Sequence, residues 1–196
     1  MSGPGFPVDD SELRRWMGDV EPAWNSLAFE SFNALRHEPS ATNRALSLAS
    51  DLSLDELNAS AVARNALLLV RRASVGSGLK LTATGNLARS VVADMIDLFD
   101  WPDFDKAEEF RFHKVVNEPD FLPVFFVRHL VEVAKLVRQH RGLLKATRLG
   151  RELAEEPRVK ALLAILFHVT FWHCDLSYLC RDLHGSWPQR DVGVIL

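Results

Sequence analysis

Cysteine is scarce. The chain of 196 residues holds two, Cys174 and Cys180, and no CxxC pair. Six positions apart on a helix, they would point to different faces, so no bridge between them is expected. That usage reads as a reduced, intracellular protein. Long apolar runs are missing too. The longest, VKALLAILFHVTFW, is too short to span a bilayer and contains His168. The opening MSGPGFPVDD has neither a basic start nor an apolar core, so it does not read as a signal peptide. A soluble, cytoplasmic protein without a membrane partner is the expectation. An excess of one charge is absent: the net formal charge is −3, which excludes a bulk polyanion binder. Signatures of catalysis are also wanting. There is no glycine-rich phosphate loop, no GxSxG and no pair of carboxylates in an apolar setting. GSG at 76–78 lacks a following GK[ST] and reads as a turn. No cofactor is expected.

What is present is an ordinary globular composition, 47% hydrophobic and 25% charged, able to bury a core. Residues 1–8 read as loose, with two Gly and two Pro. Helical patterns follow near 10–17 and 22–37. Ser53 and Glu56 stand at capping-box spacing. The stripe Val62, Ala66, Leu69 and Val70 predicts a helix over 60–73. SVGSG ends it, LKLT alternates as a short strand, and Thr82 is placed to cap a helix over 84–99. An acidic stretch follows, with Asp94, Asp97, Asp100, Asp103, Asp105, Glu108 and Glu109 against Lys106 alone, and it reads as a solvated surface. The stripe Phe126, Leu130, Val133, Ala134 and Val137 predicts a helix over 122–139. LLKAT reads as a strand, 149–155 as a short helix stopped by Pro157, and 158–183 as the last helix. The closing RDVGVIL is apolar and lacks a polar tail, which suggests a piece of a longer protein.

Two segments resemble each other. GLKLTATGNLA at 78–88 and GLLKATRLGREL at 142–153 share a glycine, an apolar pair, a threonine and a second glycine. Slid together, Arg64 falls on Arg128, Leu69 on Val133, Arg71 on Lys135 and Gly78 on Gly142. With one added residue, Thr82 falls on Thr147 and Gly85 on Gly150. The shared unit is helix, turn, strand, threonine cap, helix. A lone strand needs a partner for its backbone. RRASV and VRQH, just before each glycine, are the nearest candidates. The expected fold is therefore mainly α-helical with short β-hairpins: tandem winged-helix-like units behind an N-terminal helical segment. The boundaries are 1–54 for that segment, 55–104 and 105–157 for the two units, and 158–196 for a C-terminal helix and tail. The expected core includes Leu69, Val70, Leu81, Val92, Ile96, Phe126, Leu130, Val133, Leu163, Leu166 and Trp172.

LKLTATGNLARSVV and RGLLKATRLGRELA resemble the leucine-threonine-x-x-glycine strand-to-helix segment of many bacterial winged-helix proteins. With FHVTFW and WPQRDVG beyond, residues 55–196 are similar to the C-terminal region of uncharacterised bacterial proteins related to a plasmid open-reading-frame family. The resemblance implies the winged-helix-like fold and carries no activity with it. In the second copy Ala146 stands where the pattern has leucine.

Positive charge is concentrated at 128–151. Arg128, Lys135, Arg138, Arg141, Lys145, Arg148 and Arg151 face one acid, Glu132, before Glu152. The first six are candidates for nucleic-acid contact, with the 122–139 helix entering a groove and the RQHRGLLK turn near phosphates. The same residues also suit the polar face of an amphipathic helix. The leading expectation is a non-enzymatic binding or assembly module whose partner is another protein or a second copy. Nucleic-acid binding is the alternative. His173, Cys180 and His184 would share one face of a helix, and the last two stand one turn apart. They are weak metal candidates, since the same stripe carries Val169, Trp172 and Leu176 and reads as core.

Overall fold

The computed structural model describes residues 27–40, 42–43, 45–46, 53–102, 116–155 and 158–175. The helix expected over 10–17, Cys180, His184 and the acids from Asp103 to Glu109 lie outside them. The chain divides into two compact units, residues 1–47 with 190–196, and residues 48–189. In the first, α1 (Phe29–Arg36) lies inside the expected 22–37 span and buries no residue. Its Arg36 guanidinium stands 5.6 Å over the Phe32 ring.

The second unit opens with two capped helices. Ser53 and Glu56 form the expected capping box at the start of α2 (Leu54–Ala59): the Ser53 N–H donates to Glu56 Oε2 at 2.6 Å. α3 (Ala61–Ser74) starts at Ser60, whose Oγ accepts from the Ala63 N–H. Its apolar face buries Ala63, Ala66, Leu67, Leu69, Val70 and Ala73. Gly76 and Gly78 then turn the chain with φ of +57° and +100°. The strand β1 (Leu79–Lys80) follows.

Thr82 does not cap the next helix. Its Oγ1 accepts from the Asn86 N–H at 3.2 Å, closing a tight turn through Gly85 at φ +86°. α4 (Arg89–Leu98) begins later, at Ala88, with no side-chain cap. A short 3-10 turn, Glu118–Asp120, leads into α5 (Leu122–Val133).

α5 stops six residues before the expected end at 139. The Leu136 N–H donates to the Val131 carbonyl and the Lys135 N–H to the Glu132 carbonyl, both at 2.9 Å. That pair is a Schellman stop, with Lys135 at φ +57° in the place glycine usually takes. Leu136 and Val131 are fully buried beside it. VRQH becomes β2 (Val137–His140) and LLKA becomes β3 (Leu143–Ala146). They pair antiparallel, with Val137 opposite Ala146 and His140 opposite Leu143. The two-residue turn Arg141–Gly142 has φ of +51° and +72°, as a primed hairpin turn requires.

The expected pair of hairpins is one hairpin. RRASV does not pair with LKLT, because it is the end of α3. β1 instead joins the hairpin edge, with Leu79 opposite Leu144 and Lys80 opposite Leu143. The sheet has three antiparallel strands in the order β1-β3-β2. Both sequence copies thus feed one sheet.

α6 (Arg148–Leu153) is capped by Thr147, whose Oγ1 accepts from the Gly150 N–H at 3.0 Å and donates to the Lys135 carbonyl at 2.8 Å. α7 runs over Val159–Trp172, so the helix expected to reach 183 ends there. α3 is central and packs against α5, α7, α6 and β3. Leu69, Val70, Leu81, Val92, Ile96, Leu130 and Leu166 are buried as expected. Phe126, Val133 and Leu163 pack against that core half-buried, and Trp172 is half-buried.

Candidate macromolecule-binding surface

Arg128 is not a surface cation. It is 7% exposed, and its Nη1 donates to Glu118 Oε1 at 3.0 Å. Its Nη2 donates to the Gly85 carbonyl at 3.0 Å and to Glu132 Oε1 at 3.2 Å. The Glu118 side chain is fully buried, and its other oxygen accepts from the Leu87 N–H. Burial pushes the Glu118 carboxyl above its ordinary value, while the Leu87 N–H and the Arg128 charge pull it back. This ion pair ties the Gly85 turn, the 3-10 turn and α5 together. Burying a guanidinium is costly, and the acceptors on its two Nη atoms offset that cost, while its buried Nε has no partner among the described residues. As Arg128 is the only Lys or Arg in α5, this helix offers no such cation to a phosphate.

Arg148 is exposed but engaged. Its Nε donates to Glu152 Oε1 at 2.8 Å, which holds the Glu152 carboxyl below its ordinary range. Arg158 reaches the same carboxylate at 3.3 Å. Arg151 donates to the Ala146 carbonyl at 2.7 Å. In the first copy, Arg71 donates to the Ala154 carbonyl and Arg64 pairs with Asp100 at 2.8 Å.

The remaining candidates stay together around the hairpin. Lys135, Arg138 and Arg141 are exposed and Lys145 is half-buried. Arg138 lies directly opposite Lys145, so their side chains share a sheet face. Lys80, opposite Leu143, shares that face too, and was not among the expected contact residues. Its signal was visible: alternation in LKLT sets Leu79 inward and Lys80 outward.

At the end of α7, Nε2 of His173 and Nε2 of His168 lie 3.3 Å apart. His168 also stacks on Trp172, with centroids 5.6 Å apart. The expected partners of His173 were Cys180 and His184, on the argument of one continuous helix. The helix ends before His173, so that helical register does not carry past it. Cys174 is 1% exposed, and burial pushes its thiol up. Among the described residues, no helix is long and apolar enough to cross a membrane.

The fold and surface define a mainly helical domain with one small antiparallel sheet and a charged hairpin at its edge. The chain belongs to a family described as the Y4jL N-terminal domain, whose sequence model matches residues 58–159. It is 30% identical over 95 residues to the uncharacterized protein y4jL of Sinorhizobium fredii (strain NBRC 101917 / NGR234), a match covering 48% of this chain and 43% of that protein. The match thus spans less than half of that relative's length. The family is defined as an N-terminal domain, where the resemblance implied a C-terminal region. No solved structure matches.

Proposed function

We propose that residues 58–159 form a non-enzymatic binding or assembly module that contacts another protein through α5. The observation that carries this reading is the composition of that helix's outer side. Leu122 is 54% exposed, the one large apolar side chain of α5 that is; Phe126, one turn on, leans half-buried on the core with its ring edge-on to Trp101 at 6.0 Å. The helix's one guanidinium turns inward to Glu118. An exposed leucine on a helix that turns no Lys or Arg outward suits a protein surface better than a phosphate-lined groove.

The element order supports a single winged-helix-like unit. Among the described residues, helix α3, strand β1, helix α4, the 3-10 turn, helix α5 and the β2–β3 hairpin come in that order, with β1 seated at the hairpin edge. α5, directly before the hairpin, stands where such folds present a contact helix.

A second copy of the chain is the simplest occupant. Sedimentation velocity of the full chain from about 1 to about 100 μM should show mass-action association. Leu122→Asp should abolish it while leaving the circular dichroism spectrum unchanged. A monomer at every concentration overturns self-association.

A further inference from the structure

We propose that the outer face of the three-stranded sheet, with the turns at both ends of β2, is a second binding surface that takes the phosphate backbone of nucleic acid. Lys80, Lys135, Arg138, Arg141 and Lys145 supply the contacts, independently of the protein-contact side of α5.

Three features of the hairpin converge. The first is the register. Arg138 and Lys145 are direct cross-strand partners, and like charges placed opposite each other destabilise a sheet. Lys80 adds a third cation to that face from β1. Among the described residues, no carboxylate pairs with any of the three. The charge is left uncompensated within the described residues.

The second is the backbone. Lys135 and Arg141 are the two described non-glycine residues with positive φ, at +57° and +51°. Both positions favour glycine or asparagine: one is the helix stop, the other the first centre of a primed turn. Each instead carries an exposed cation on a strained backbone. They flank β2, so that Lys135, Arg138 and Arg141 follow one edge strand over about 15–20 Å. The stem of Lys145 passes close over Gly78, where an added Cβ would lie 3.0 Å from Lys145 Cγ.

The third is the scarcity of anchors. Leu143, half-buried, is the one apolar side chain of this face between the cations. A protein partner gains most from buried aromatic or aliphatic anchors, which this face does not offer. A polyanion needs none, because counterion release drives its binding. With Arg128 internal, α5 supplies no cation for base readout, so the contact is indifferent to sequence.

Fluorescence anisotropy of a labelled random-sequence duplex, titrated with the full chain, tests this. If all five cations reach phosphates, log K falls against log salt with a slope of about −4.5 between about 25 and about 250 mM salt. Arg138→Ala/Lys145→Ala should flatten the slope to about −2.7. Both side chains point away from the core and their opposition is unfavourable, so the fold should persist with a melting temperature no lower than the parent's. Leu122→Asp should leave duplex affinity as it was, which separates this surface from the α5 contact. Four results overturn the proposal: no duplex binding at the lowest salt, a slope that the double variant leaves unchanged, a fall in duplex affinity with Leu122→Asp, or poly-glutamate competing as well as unlabelled duplex. The last would make the face a contact for acidic protein segments.

Discussion

Replacing Arg128 by methionine isolates the ion pair that ties α5 to the two turns beneath it. Methionine keeps the apolar stem and removes the donors to Glu118, Gly85 and Glu132. The Glu118 side chain is fully buried, and of the contacts described only the Leu87 N–H would remain on its carboxylate. Breaking a buried pair from one side leaves an uncompensated charge and costs about 3–5 kcal/mol. That is a large share of the roughly 5–15 kcal/mol that holds a domain folded. The loss should depend on pH. Burial holds the folded Glu118 carboxyl above its ordinary value, so the folded chain keeps this proton to a higher pH than the unfolded chain does. Its contribution to stability is full below the ordinary carboxyl value and is lost as pH rises through the folded value. Without Arg128 the carboxylate is still harder to form. The gap between variant and parent should therefore be small in acid and widen toward neutrality. Urea unfolding followed by tryptophan fluorescence, once in acid below the ordinary carboxyl value and once at neutral pH, measures it. The double variant Glu118→Gln/Arg128→Met leaves no buried charge at this pair, and should lose clearly less than the two single losses added together. An Arg128→Met loss below about 1 kcal/mol at neutral pH, or strictly additive losses, would refute the reasoning.

Gly150→Ala should lower stability by about 1–3 kcal/mol, because the new Cβ would lie 2.0 Å from the Leu136 carbonyl oxygen and overpacking is costly; an unchanged melting temperature would count against so close an approach of α6 to the helix stop. Ser53→Ala should cost about 1 kcal/mol through loss of the capping box, read by the same urea curves, and a neutral result would mean α2 is held by packing alone. Cys174 should resist iodoacetamide in the folded chain and react after unfolding, since it is buried and its thiol is pushed up; peptide mass mapping separates it from Cys180, and rapid labelling at neutral pH would contradict the burial.

The repeated joint shows where sequence reading succeeds and where it stops. Thr147 caps α6 as its position before RLGREL suggests, and VRQH pairs with LLKA as its nearness allows. Thr82 sits at the matching place and instead closes a turn on Asn86. The aligned glycines also part company. Gly85 is needed for its positive φ, whereas Gly150 is needed because Leu136 lies against it. Nothing in a letter distinguishes conformational freedom from lack of room.

By itself, the order of residues determined the local events. Ser53, Ser60 and Thr147 begin helices because their side-chain oxygens accept from backbone donors a few residues on, and apolar spacing marks the inward faces of α3 and α5. Such interactions span one or two turns of chain, so they can be read in sequence order. Tertiary structure decided the rest. α5 ends at Val133 because Leu136 is drawn into the core and Val137 into the sheet, overriding a helical pattern that ran on to 139. β1 joins the hairpin from the other copy because an edge strand must find a partner wherever one is free. Arg128 leaves the row of surface cations because Glu118, ten residues away, is buried beside it. Those outcomes depend on which groups are brought together across the fold, and the cations left around the hairpin are ones that no carboxylate among the described residues pairs with.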